Sequence, residues 1–222
     1  MFAQKESLQE FCTSHMLGLS LLSKLLQNTP DNEQYDPLFS QGLFAEWPLE
    51  NINQDIVRGL EIISEFSQEY APEKVVELKD DYHALLIGPP PLAMPWQSVW
   101  TGKEGLLFDE DTSEVRDWYY RYSLEIELKD NEPDDHIGLE LAFVVHLMAL
   151  SVATAEFDPE KAQEILFDIQ RFMKKHTLVW CDKFWEAMEQ NAETQFFKGL
   201  GRLGKGSLRQ LGDDLEEYLP SG

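Results

Sequence analysis

Leu8, Phe11, His15, Leu19, Leu22 and Leu26 recur every three or four positions, with polar residues between most of them. That spacing lines one face of an α-helix. Ser7 and Glu10 have the spacing of a capping box at its start, and Asn28-Thr29-Pro30 closes it. Ile56, Leu60, Ile63 and Phe66 predict a second helix over 53–69, and Pro72-Glu73 opens a third over 72–87, proline being favoured in a first helical turn. The periodicity stops at Gly88, where GPPPLAMPWQSVWTGKEG places four prolines and three glycines in a connection running to 111. Proline removes a donor and fixes φ, glycine frees it, and no regular element is expected there. So long a connection inside a compact domain is usually functional or disordered, and Trp96 and Trp100 argue for one docked on the body. Helical spacing resumes over 112–128, 134–156, 158–175 and 178–200. A glycine-rich break at 201–206 then precedes a short last helix over 207–218.

Within 134–156, Ile137, Leu141, Val144, Val145 and Met148 mark one face, while Leu139, Ala142, Phe143 and Leu147 make the others apolar too. A helix apolar all round belongs at the centre of a bundle. No period-2 alternation is long enough for a sheet, and no internal repeat is visible. The chain therefore reads as all-α, a single helical domain over 1–222. Its N-terminal helices fall in 1–87, the connection in 88–111 and the C-terminal helices in 112–218.

Charge and cysteine usage narrow the function. Lys and Arg number 18 against 41 Asp and Glu, a formal charge of −23. Such a field repels nucleic acid and anionic lipid and attracts cationic segments. The charge is −9 over 1–80, −11 over 81–157 and −3 over 158–222, so the middle third is the anionic part. Cys12 and Cys181 form no CxxC and no Cys/His cluster, which indicates neither a disulfide framework nor a structural zinc site. A reducing compartment fits, with both thiols acting as small hydrophobes. MFAQKESLQEF lacks a basic segment followed by an apolar one, and no run of about 18 uninterrupted apolar residues occurs. The expectation is a cytoplasmic protein, neither exported by its own signal nor inserted in a membrane.

Residues 131–140, NEPDDHIGLE, crowd acids and a histidine at the mouth of the most apolar helix. An ordinary helix start explains Asp134 and part of Asp135, because acidic side chains cap free N–H groups and offset the helix dipole. It does not explain His136, whose cation is disfavoured at that end. His136 and Glu140, four apart, share a face with Glu132 and Asp135 nearby, a spacing compatible with metal ligation or acid/base work. His146 lies about 15 Å further along the axis, too far to complete such a site, and His15, His83 and His176 are scattered. G-x-S-x-G, Walker, dinucleotide-binding and H-E-x-x-H motifs are missing. No catalytic residue, metal or cofactor is assigned.

Two segments together resemble the TorD/DmsD/NarJ family of redox-enzyme maturation chaperones. One is Tyr82-His83-Ala84-Leu85-Leu86-Ile87-Gly88-Pro89, continuing into Met94-Pro95-Trp96-Gln97-Ser98-Val99-Trp100. The other, Glu132-Pro133-Asp134-Asp135-His136, is similar to the family's Glu-Pro-x-Asp-His signature at every position. Gly105 to Phe108, Trp118 and the segment His176 to Leu200 extend the likeness over most of 72–200, and the Pro-Trp-x-Ser-Val-Trp run leans toward the DmsD branch. Leu86 stands where Phe is commoner, and Pro90-Pro91 lengthen the proline run. The resemblance implies an all-helical cytoplasmic chaperone. It would bind the twin-arginine signal peptide of a molybdenum-cofactor oxidoreductase of the dimethyl sulfoxide or trimethylamine N-oxide reductase type, and delay export until the cofactor is loaded. It further implies contact with the mature enzyme and either a monomer or a dimer swapped through 88–111.

Two adjacent arginines followed by an apolar run need carboxylates beside an apolar groove. Residues 104–140 hold thirteen acids against Arg116, Arg121 and Lys129, and each charge-assisted bond to a guanidinium contributes roughly 1.5 to 3 kcal/mol. Under the resemblance Glu132, Asp135 and Glu140 face the arginines and His136 orients them, while most other acids form a solvated face. Tyr82, Leu85, Leu86, Pro95, Trp96 and Trp100 supply the apolar half, since aromatic anchors bring large contact area with few rotors. Leu85 and Leu86 read equally as plain core. Gly88 and Pro89 shape the chain's exit from its helix, and Pro133 belongs to the signature. Two alternatives stand beside this reading. One is a metal- or nucleotide-dependent enzyme centred on Asp135, His136 and Glu140; the other is a helical assembly scaffold that ignores the signal peptide.

Overall fold

The computed structural model of the chain describes residues 7–49, 52–102, 107–108, 110–125 and 132–220. Among the described residues there are ten α-helices and no strand, so the all-α reading holds. The capping box at the head of α1 (Leu8–Gln27) is present: Ser7 Oγ accepts from the Glu10 amide at 3.2 Å, and the Ser7 amide donates to Glu10 Oε2 at 3.0 Å. No sequence expectation covered α2 (Asn32–Ser40), which Asp31 starts by accepting from the Gln34 amide at 2.8 Å and which carries Pro37 inside it. α3 (Gln54–Gln68) is capped by Asn53. The helix expected over 72–87 is a composite. A 3₁₀ turn, Pro72–Lys74, leads into α4 (Val75–Tyr82), and a π turn over His83–Ile87 ends it.

Gly88 makes that ending possible. Its φ of +75° lies in the left-handed region, and a Cβ there would stand 2.2 Å from the Pro91 nitrogen, so only glycine fits. The chain then folds back along the helix it has left, with the Leu92 and Ala93 amides donating to Ala84 and Leu85 carbonyls at 3.1 and 2.8 Å. The connection is not devoid of regular structure: α5 (Gln97–Thr101) sits inside it and α6 (Glu110–Arg121) begins within its last residues. Gly105, Leu106, Asn131 and the 126–128 end of the helix expected over 112–128 lie outside the described residues. α7 (Ile137–Ala155) and α8 (Pro159–Lys175) follow as anticipated.

The last third differs from expectation. The break falls at 192–194, between α9 (Cys181–Asn191) and α10 (Gln195–Tyr218). Buried Asp81 makes it, accepting from the Glu193 and Thr194 amides at 3.1 and 2.8 Å and from the Thr194 hydroxyl at 2.6 Å. The glycines at 199, 201, 204 and 206 do not interrupt α10, which runs for 24 residues, about 36 Å. They lie where other elements press against its backbone. A Cβ on Gly204 would meet the Trp185 ring at 2.5 Å, and one on Gly206 the Ile56 amide at 2.7 Å.

Two groups of helices result, α7 packed between α1 and α8, and α10 packed between α3 and α9. Their apolar side chains merge into one cluster. Ser23 Oγ and Gln27 Nε2 at the end of α1 donate to the Gly138 carbonyl at 2.8 and 3.0 Å, so α1 and α7 run antiparallel. The His15–Asp214 pair at 3.0 Å and the Phe11–Tyr218 stack tie α1 to α10. By length and composition α7 could cross a membrane, with mean hydropathy 1.9, but half of that span is buried in the bundle. It is not enclosed on every side: Ala142, His146, Ala149 and Ala153 form an exposed stripe.

Between α3 and α10 the contact is backbone on backbone. A Cβ on Gly59 would stand 2.6 Å from the Leu203 nitrogen and 2.8 Å from the Gly199 oxygen, both backbone atoms that cannot rotate away. Gly59→Ala should therefore cost about 3 kcal/mol in urea unfolding, the upper range for overpacking. Gly212→Ala, which meets only the flexible tip of Leu178 at 3.2 Å, should match the wild type or exceed it by about 0.5 kcal/mol.

Candidate functional site

The two sequence signatures meet at one corner. Trp96 and His136 form an antiparallel bridge, with the Ile137 amide donating to the Pro95 carbonyl at 2.8 Å and the Gln97 amide to the Asp135 carbonyl at 3.1 Å. Across that bridge Trp96 Nε1 donates to Glu132 Oε1 at 2.5 Å, and the Trp96 and His136 rings lie edge to face with centroids 6.3 Å apart. Asp135 holds the bridge from beneath. Wholly buried, it accepts from the Ser98 amide at 2.7 Å through one oxygen and from the Thr112 hydroxyl at 2.8 Å through the other. Asp134 takes both Nε and Nη2 of Arg116, at 2.8 and 2.5 Å, and its carbonyl accepts from the Tyr119 hydroxyl.

The cap of α7 is His136, not one of the acids before it. Its Nδ1 accepts from the Gly138 amide at 3.0 Å, which requires the neutral ring with its proton on Nε2. Burial pushes the His136 pKa down to about 4, so the objection to a cation at a helix N-terminus does not arise. Its ring therefore serves the backbone rather than orienting Glu132 or Glu140. Gly138 is confined by this cap, since a Cβ there would stand 2.7 Å from Gln27 Cγ and 3.1 Å from His136 Nδ1.

The remaining predicted residues divide by depth. Trp96, Trp100 and Glu132 are half-exposed. Tyr82, Leu85, Leu86, Pro95, Asp135, His136 and Glu140 are buried. The Tyr82 hydroxyl donates to the Leu26 carbonyl at 2.9 Å, and Trp100 Nε1 donates to the Met94 carbonyl at 2.8 Å. Asp135 and Glu140, read from the sequence as facing arginines, thus lie inside the molecule with 0% exposure, because their helix start is covered by α5, α6 and the turn before α9. Burial raises the pKa of Glu140 well above the usual carboxylate range; Asp135 and Asp111 push it further, and Thr177 and Trp180 oppose. An acid/base or metal role centred on Asp135, His136 and Glu140 would need these groups to be available, and all three are buried. Among the described residues no three His, Cys, Asp or Glu side chains are placed to hold a metal ion.

Several members of the corner were not picked out from sequence. Thr112 carried no signal of its own, and Ser98 stood in the quoted Pro-Trp-x-Ser-Val-Trp run without being given a role. Arg116 carried one, as one of three cations among thirteen acids over 104–140. The contact between His176 Nδ1 and Gln97 Oε1 at 3.1 Å joins positions 79 apart, beyond the reach of any local pattern.

Burial of the two histidines fixes a pH dependence. Burial holds the pKa values of His136 and His176 down to about 4, whereas an unfolded histidine titrates near 6.5. As pH falls below about 6.5 the unfolded chain takes up protons first, so stability is full above that value and declines as pH falls toward 4. His136→Asn keeps a capping acceptor and removes one titration. In urea unfolding at pH 8, 6 and 4.5 it should show a shallower loss than the wild type; equal slopes would count against a neutral buried His136.

The family described as nitrate reductase delta subunit matches residues 49–186, a span that contains both signatures. Over 195 residues the chain is 26% identical to a Tat proofreading chaperone, DmsD, of Salmonella typhimurium, covering 86% of this chain and 85% of that one. It is 25% identical, over the same shares, to the Tat proofreading chaperone DmsD of Salmonella typhi. The chaperone protein TorD of Vibrio parahaemolyticus is 24% identical over 204 residues, covering 91% of this chain and 84% of its own. These relatives are chaperones and not enzymes. With the Trp96–Glu132 corner in place and the family matched over most of its length, the chain belongs to the TorD/DmsD/NarJ family of redox-enzyme maturation chaperones.

Proposed function

We propose that this chain acts in the cytoplasm as one helical domain that binds the twin-arginine signal peptide of a molybdenum-cofactor oxidoreductase. The client is of the dimethyl sulfoxide or trimethylamine N-oxide reductase type, and binding holds back its export until the cofactor is in place. The observation that carries this reading is the half-exposed pairing of Trp96 with Glu132 at the mouth of the central helix. There an acid that can meet a guanidinium stands against an aromatic plane that can meet its flat face or the apolar run behind it. Trp100, also half-exposed, extends the apolar side.

In this reading Glu132, Trp96 and Trp100 touch the peptide. Asp135, His136, Glu140, Tyr82, Leu85, Leu86 and Pro95 contribute from beneath by holding those three in place. The formal charge of −23 favours approach of a cationic leader and makes it sensitive to salt.

A synthetic twin-arginine leader should raise the melting temperature. At a free concentration of one hundred times Kd the gain is about 2.7 kcal/mol. A twin-lysine leader lacks the planar fork. Losing one charge-assisted bond, about 1.5 kcal/mol, should weaken its binding roughly tenfold. Glu132→Gln should weaken the arginine leader by a similar factor while leaving the lysine leader's relative deficit smaller. Equal affinities for both leaders in a calorimetric titration would sink the assignment of Glu132.

A further inference from the structure

α3 is apolar on more than the face it buries. Ile56, Gly59 and Ile63 pack against α10. Val57 and Leu60, off that seam, stay half-exposed and with Ile52 form one wall of a groove of about 920 Å³. The facing wall is the end of α2 and the 3₁₀ turn Leu43–Glu46, which supply Phe39 and Phe44. Gly42 starts that turn with a φ of +65°, in the left-handed region that glycine adopts freely. Leu43, in the same turn, is 42% exposed and adds an apolar lip. Contiguous apolar surface left open in this way marks an interaction site, as scattered single residues do not.

Along α3 the groove grades from apolar to acidic. Beyond Val57 and Leu60 its wall continues through Glu61, Ser64, Glu65 and Gln68, positions three or four apart that share one helix face. From Val57 to Gln68 the wall is about 16 Å long, three helical turns. Its surroundings are strongly anionic: residues 31–73 hold ten acids and a single cation, Arg58. Arg58 turns to Glu61 at 2.9 Å, with both side chains 54% exposed, and an exposed pair of this kind is held only weakly. Glu65, one turn further on, makes no ion pair among the described residues.

We infer that this groove is a docking surface for a cationic amphipathic helix of another protein, about three turns long. Its apolar side chains seat on Phe39, Phe44, Val57 and Leu60, and its lysines or arginines meet Glu61 and Glu65. Charge complementarity selects the occupant. A second copy of this chain, at −23, is repelled by the rim, and so is any anionic partner. The shape selects a helix. The space is an open groove rather than an enclosed cavity, and its three-turn wall suits a ligand anchored at i, i+3 or i+4, and i+7. The groove shares no residue with the Trp96–Glu132 corner, so the inference does not rest on the signal-peptide reading.

The test is calorimetric titration of the full chain with three synthetic peptides of about 11 residues, the length of three turns. The first carries leucines on one helical face and lysines beside them. The second has the same composition scrambled so that no face forms, and the third has glutamate in place of every lysine. The first should bind, and the other two at least tenfold more weakly. Equal binding of the first and the scrambled peptide overturns the inference, because the net charge alone would then explain it. Ser64→Trp fills the groove and Glu65→Lys reverses its rim. Both positions are exposed, so both variants should keep the wild-type unfolding midpoint. Each should weaken the first peptide at least fivefold, while Glu132→Gln stays within twofold of wild type. Undiminished binding to both groove variants overturns the site. Octylammonium ion is titrated in parallel, and its binding where the first peptide shows none overturns the helix as occupant. A twin-arginine leader separates the two readings. Failure of the leader to bind removes the signal-peptide reading and leaves the groove supported if the first peptide binds as expected. Loss of leader binding in Ser64→Trp but not in Glu132→Gln supports the groove and removes the leader from the corner.

Discussion

The carboxylate of Asp135 is the knot on which the Trp96–His136 corner of the molecule depends. It is fully buried, and its two oxygens receive the Ser98 amide and the Thr112 hydroxyl while its own carbonyl receives the Gln97 amide. Two of those three bonds come from α5 and the third from α6. Closing a connection such as 88–111 costs about 3 kcal/mol in chain entropy by the logarithmic length rule. Bonds to a charged acceptor contribute roughly 1.5 to 3 kcal/mol each, so this one side chain can offset the closure. It works with the Ile137 amide on the Pro95 carbonyl and with the Trp96–Glu132 bond to keep Trp96 opposite His136.

The corner separates presentation from support. Trp96, Trp100 and Glu132 keep part of their surface in solvent, while the other predicted residues form the layer beneath. Sequence signatures of this kind mix both roles, because a residue that must hold another in place is as constrained in type as the one that is held. The neutral His136 shows it well: its Nδ1 accepts from the backbone of its own helix, and its ring lies against Trp96.

Much of the fold was legible in the chain because most helices here carry their own start signal. Ser7 with Glu10 caps α1 as its spacing implied, and Asn53 and Asp158 likewise accept from backbone amides at the starts of α3 and α8. α2 was not legible, since Pro37 sits where a breaker is expected and the helix survives through its Asp31 cap and its packing around Tyr35 and Phe39. The glycines of α10 misled for a related reason. Glycine weakens an isolated helix, but here the missing side chains let α3, Trp185 and Asn53 approach its axis, and no local pattern reports what lies across a helix. At the corner, the meeting of the two signatures was readable as motif order. The depth of Asp135 and Glu140 was not, because burial there is imposed by α6 and the 176–180 turn, which arrive from elsewhere in the chain.

Backbone lies on backbone where Gly59 meets Gly199 and Leu203. At such a contact there are no side chains to tilt or re-rotamerise, so the two helices lack the lubricant that lets packed elements slide by an ångström. α3 and α10 must then travel as a single lever. Any deformation of the molecule is thereby displaced to the joints around α5, where short hydrogen-bonded segments rather than interlocked axes bear the load.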